Sequence, residues 1–74
     1  MKLEIKELTT LEELPAGSLF LTVNRPTLAL KSEYRSESGA IEAYIVGSGE
    51  MFWGGTSTPK EQRKIPVHRV EVTE

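Results

Sequence analysis

The sequence predicts an all-β fold: a small barrel of five to six strands with one short helical turn, built from residues 1–74 as a single domain. Three observations carry that expectation. Apolar residues recur at every second position in short runs along the chain, which is the period of a strand with one face covered. The segment Tyr44 to Gly55, YIVGSGEMFWGG, sets an apolar β-run, a Gly-Ser-Gly turn, an aromatic pair and a Gly-Gly break side by side. Gly47 and Gly49 permit the positive φ of a tight hairpin turn, while Tyr44, Phe52 and Trp53 supply large apolar area on the flanking strands. Finally, a flat sheet of this length would leave an apolar face in water, so the strands are expected to curl into a small barrel or to fold into two packed sheets.

Taken in order, Lys2 to Glu7 alternates Leu3 and Ile5 against Lys2, Glu4 and Lys6, a half-buried first strand. Thr9 and Thr10 then precede Glu12 and Glu13 at capping-box spacing, and Leu8, Leu11 and Leu14 recur every third residue. A single helical or 3₁₀ turn is expected there, stopped by Pro15. Ser18 to Val23 forms the second strand, with Leu19, Leu21 and Val23 on one face and Phe20 on the other, so both faces need cover. Asn24-Arg25-Pro26 breaks it. Thr27 to Tyr34 and Ala40 to Val46 form a hairpin across the polar turn Arg35 to Gly39. In the second of these strands Ile41, Ala43 and Ile45 face one side and Glu42, Tyr44 and Val46 the other. Met51 to Trp53 is a short fifth strand, Gly54 to Arg63 a long loop without periodicity, and Ile65 to Val72 a closing strand that Pro66 begins or marks as an edge.

This layout resembles the SH3-like small barrels. Leu14 to Phe20, LPAGSLF, looks like their turn into a long strand, and Glu42 to Gly54, EAYIVGSGEMFWG, like their central hairpin. The acidic and aromatic run with which peptide-binding SH3 domains grip proline-rich ligands is absent from the sequence, so that activity is not implied. The chain is also similar to the small, cysteine-free acidic proteins of bacteria and their phages, a likeness that implies no function.

Size and composition narrow the possibilities further. A chain of 74 residues buries only roughly 60% of its unfolded surface, which leaves little room for an enclosed active-site cavity beside a working core. Without cysteine there is no disulfide framework or thiolate metal site, and the single histidine falls short of an imidazole ligand set. Runs such as Leu19 to Leu21 and Ala43 to Val46 are too short to span a bilayer, and no secretory h-region follows the N-terminus. The expectation is therefore a cytoplasmic protein that uses no cofactor, metal, membrane or small-molecule substrate. The net charge of −2 is unevenly placed: Lys60, Arg63, Lys64 and Arg69 against Glu61 give Thr56 to Val70 a local +3, so the rest carries −5.

Few residues offer chemistry. His68 alternates with Val70 and Val72 on an apolar face and reads as a hydrogen-bonded structural residue, since general-base work would need a nucleophile or an orienting carboxylate beside it. Ser48 lacks the strand-to-helix setting of a nucleophile elbow. Glu33, Glu37, Glu42 and Glu50 lack calcium-loop spacing and read as solvated strand faces, with Lys31 and Arg35 as cross-strand partners. Phe52 and Trp53 point to opposite faces of a strand, so one ring needs cover from a folded-back loop or from a partner. The functional expectation is a non-enzymatic protein-interaction module that binds a protein partner or itself. In it Trp53 is the anchor, Tyr44 and Phe20 the support, and Lys60, Arg63 and Lys64 the charged rim. The alternative is weak binding of single-stranded nucleic acid by the basic loop 60–64, opposed by the acidic body. A third reading is a subunit or inhibitor that lends a loop to a larger enzyme.

Overall fold

The computed structural model describes residues 2–73. Five strands, β1 (Lys2–Thr10), β2 (Leu19–Thr22), β3 (Leu28–Arg35), β4 (Ile41–Ile45) and β5 (Pro66–Thr73), form one antiparallel sheet in the order β1-β5-β2-β3-β4. A single short helix, α1 (Pro59–Arg63), precedes β5. β1 and β4 are the edges and do not join, so the sheet is open along that seam. β1 and β5 run on together beyond the shorter strands, and the molecule measures 37 × 21 × 20 Å.

β2, β3 and β4 alternate between a buried and an open side, whereas β1, expected to be half-buried, has no buried residue and leaves Leu3 and Ile5 exposed. Phe20, Ala29, Ile41, Ala43 and Val67 are buried on the concave face with Leu11, Leu14 and Phe52. Phe20 and Phe52 meet edge to face, their ring centroids 5.2 Å apart at 76°, a favoured aromatic geometry. Space for two such rings in so small a body comes from Ala29, Ala40 and Ala43, all 0% exposed. The second strand is thus turned over relative to expectation: Phe20 is inside, while Leu19 and Leu21 lie on the outer face. Ring volume decides this, because only the alanine-lined side has room for it.

The helical turn expected near Leu11 is a non-repeating turn, with the Leu14 N–H donating to Thr10 O at 3.0 Å and the Glu13 N–H to Thr10 Oγ1 at 3.3 Å. β1 runs on to Thr10 before it, past the expected end at Glu7. The helix forms instead within the segment expected to be an irregular loop. Thr58 caps α1 by accepting from the Glu61 N–H, Pro59 stands in the first turn, and Glu61 Oε1 accepts from the Thr58 hydroxyl at 2.9 Å. Proline at the start and a threonine three residues before a glutamate are the ordinary marks of a helix N-terminus. Met51 to Trp53, expected as a strand, contributes one bridge, Met51 to Tyr44.

Two buried polar side chains bind these parts together. Gln62, 0% exposed, accepts from the Ile41 N–H at 2.7 Å and donates through Nε2 to Ile41 O at 2.9 Å and Phe52 O at 2.8 Å. Its amide thereby stands in for a neighbouring strand at the start of β4. Lys31 sends its ammonium inward to the carbonyls of Leu11, Glu12 and Leu14, at 2.7, 3.1 and 2.5 Å. Those carbonyls have no repeating helix to satisfy them, so the three donors of the ammonium complete the turn. Burial pushes the Lys31 amine below its ordinary pKa, partly opposed by the nearby Glu12 carboxylate.

Candidate functional site

The outer face of the sheet is assembled by register. Pairings carry one row across all five strands and the final bridge: Ile5, Val70, Leu19, Leu30, Tyr44 and Met51 stand opposite one another in turn. A second row holds Leu8, His68, Leu21 and Leu28, and Leu3 faces Val72 beyond the first. Directly opposed residues in antiparallel strands share a face, so these side chains form one surface. Much of it is open to water: Ile5 is 60% exposed, Leu8 58%, Leu3 49% and Leu30 42%. Leu11 and Leu14 of the turn after β1 pack into the core on the opposite side, where Gln62 of α1 bonds to Ile41 and Phe52, while on the outer face Val70 is buried at 5% exposed. Scattered apolar residues are ordinary on a surface, but a contiguous sheet face of them is not.

Charge lies on the other side of the β1–β5 extension. β1 carries a bulge between Ile5 and Leu8, so that Lys6 and Glu7 together oppose Arg69. The Arg69 guanidinium bonds Glu7 Oε2 at 2.7 Å and Glu71 Oε1 at 2.9 Å, and Lys6 Nζ lies 2.8 Å from Glu4 and 3.4 Å from Glu71. Hydrogen bonds from Arg69 hold the Glu7 and Glu71 carboxyls below the usual range, and hydrogen bonds to Glu4 and Glu71 raise the Lys6 amine. His68 Nδ1 lies 3.0 Å from the Lys6 carbonyl at this bulge. A carbonyl only accepts, so the ring proton sits on Nδ1 and the imidazole holds the bulge in shape.

None of the family models, curated proteins or solved structures compared with the chain matches it.

Of the side chains the sequence singles out, Tyr44 stands on the apolar face. Its hydroxyl donates to Glu42 Oε1 at 2.8 Å, and this bond raises the phenol above its ordinary pKa. Phe20, expected beside it, is 0% exposed and offers no surface to a partner. Leu19 and Leu21 occupy its place on the outer face. Trp53 is half-buried just past Met51, and its carbonyl accepts from the Thr56 N–H and hydroxyl. The alternation of Leu3, Ile5, Leu19, Leu21, Leu28 and Leu30 was visible in the sequence, but alternation alone does not say which set faces inward.

The basic segment is partly neutralised from across the fold. Lys60 and Lys64 are exposed, whereas Arg63 donates to Gly39 O at 2.9 Å and lies 3.7 Å from Glu12. Glu12 also accepts from Arg35 at 2.9 Å, an interaction that lowers its carboxyl pKa, and with Glu13 it lines the shallow groove that Lys60, Arg63 and Lys64 occupy. Ser48 lies in the exposed turn after β4, separated from His68 on β5 by β2 and β3, so the two do not meet. Among the described residues no group of three acidic, histidine or cysteine side chains is placed to hold a metal ion, and no helix is long and apolar enough to cross a membrane.

Proposed function

We propose that this chain is a non-enzymatic protein-interaction module that docks through the open face of its sheet. The observation that carries the reading is the unbroken row from Ile5 through Val70, Leu19, Leu30 and Tyr44 to Met51, apolar at every position, in which Ile5, Leu30 and Tyr44 are exposed, Leu19 and Met51 half-buried and Val70 buried between its neighbours. Burying such a row removes apolar area from water at roughly 25 cal/mol per Å², while tyrosine combines a large ring with a polar tip suited to an interface. Tyr44 takes the anchoring role, with Leu30 and Ile5 in support and Trp53 flanking Met51. The likeness to SH3-like barrels enters as a layout, in which a curved sheet encloses the core on one side and presents its other side outward. Nucleic-acid binding by Lys60, Arg63 and Lys64 is the weaker reading, because Glu12 and Glu13 stand among those cations and phosphate binding needs net positive potential.

Photo-crosslinking in living cells tests the proposal. A photoreactive phenylalanine analogue at position 30 is expected to give discrete protein adducts, whereas the same analogue at position 37, in the exposed β3–β4 turn, gives none. Equal or absent adduct formation from the two positions would overturn the docking role of the face.

A further inference from the structure

Resting on that reading, we propose that the occupant of the open face is a second copy of this chain, packed sheet face to sheet face across a two-fold axis. A two-fold interface must be complementary to itself, because the same patch is presented from both sides. A charged face would fail that test through like-charge contact at the axis. Here the rows contain aliphatic residues, Tyr44, Met51 and the single imidazole of His68. Glu42, two residues from Tyr44 on the same face of β4, has its carboxylate engaged by the Tyr44 hydroxyl. The charged residues of the β1–β5 extension instead pair among themselves on the opposite side.

The available area is sufficient. Strands of nine, four, eight, five and eight residues at about 3.3 Å rise and about 4.8 Å spacing cover about 540 Å² in projection. Two such faces, engaged over the whole sheet, approach about 1,100 Å² before side-chain relief is counted, close to the roughly 1,000 Å² expected of a specific interface. Sheets stacked this way sit about 10 Å apart with their side chains interdigitated.

The other route by which β-rich chains associate, strand addition at an edge, is obstructed. β1 is bulged at Lys6 and Glu7 and carries Lys2, Glu4, Lys6 and Glu7 along its length, features that discourage edge pairing. β4 is occupied at Ile41 by the Gln62 amide and at Tyr44 by Met51. With both edges obstructed and one face apolar, self-association is directed to the face.

Sedimentation equilibrium on the purified full chain decides the matter. Wild-type protein at about 100 µM is expected to show twice the 8.3 kDa chain mass. Ile5→Lys and Leu30→Lys, each at an exposed position and each counted twice across the axis, are expected to weaken the dimer by at least about 100-fold while leaving the circular dichroism spectrum unchanged. Ala16→Lys, in the exposed turn before β2, adds the same charge and is expected to leave the mass unchanged. A monomeric wild type, or a dimer indifferent to both face substitutions, would overturn the second copy as occupant. The crosslinking result at position 30 would still stand or fall separately, on adducts with other proteins.

Discussion

Gln62→Leu is the most informative single change to the fold, because it preserves side-chain volume and removes three hydrogen bonds from a site closed to water. Leucine leaves the Ile41 N–H, the Ile41 carbonyl and the Phe52 carbonyl without partners. An orphaned buried polar group costs about 1–3 kcal/mol, and burial of the leucine itself returns about 1.5–3 kcal/mol. With three groups orphaned the cost is about 3–9 kcal/mol, so the net expectation centres on a loss of about 4 kcal/mol, against a total of about 4–11 kcal/mol for a chain of this length at the usual stability per residue. Urea denaturation followed by the fluorescence of Trp53 reads it directly, and with a slope of about 1 kcal/mol/M the midpoint should fall by about 4 M. Gln62→Glu separates loss of donors from loss of shape. As a carboxylate it accepts from Ile41 but faces two carbonyls with no proton to offer, whereas protonation, which burial favours above the ordinary carboxylate range, restores one donor. The glutamate variant should therefore recover part of its deficit relative to wild type as the pH falls. A leucine variant within about 0.5 M of the wild-type midpoint would refute the argument that this amide substitutes for a strand.

Two further outcomes follow from the geometry. Gly54 has φ +62, and a Cβ there would lie 2.6 Å from Ile65 Cδ1 and 2.8 Å from Phe52 Cζ. Gly54→Ala is expected to lose about 2–4 kcal/mol from strain and overpacking, whereas Gly55→Ala, at φ +80 with open space around it, should lose only about 1 kcal/mol; equal urea midpoints for the two would contradict the close approach. In acid, Glu7, Glu12 and Glu71 titrate below their unfolded values because arginine or lysine partners favour the charged form. The unfolded chain then binds protons first, so their contribution is complete above about pH 4.5 and is lost as the pH falls through the lower folded values. Arg69→Gln should flatten this decline between pH 5 and 3 in urea titrations, and an unchanged slope would show that the Arg69 cluster does not couple to folding.

How much of this was readable from the residues alone varies with the range of the interactions. Strand alternation is local, and it placed Leu19 with Leu21, Leu28 with Leu30 and Ile41 with Ala43 on common faces. Which face is buried depends on how Phe20 meets Phe52, 32 positions away in the chain, and on alanines that yield space to both, and no local pattern reports that. The helix was signalled by Thr58, Pro59 and Glu61, but five residues are too few for an amphipathic period and the segment reads as loop. Compensation of the basic segment by Glu12, and the inward turn of Lys31, join parts of the chain that sequence order keeps apart. The structural role of His68 was legible because its neighbours at alternate positions are valines, although its partner, the Lys6 carbonyl, was not.

The placement of alanines within and leucines without reverses the usual link between greasiness and indispensability. Ala29 and Ala43, buried in the cluster that holds both phenyl rings, should tolerate almost no enlargement, since any added methylene must displace a core side chain. Leu30 and Ile5 could be rewritten as serine or threonine with the fold intact. A saturation library sorted for folding would thus trace the alanines, and one sorted for association would trace the leucines, so selection can act on either property without disturbing the other.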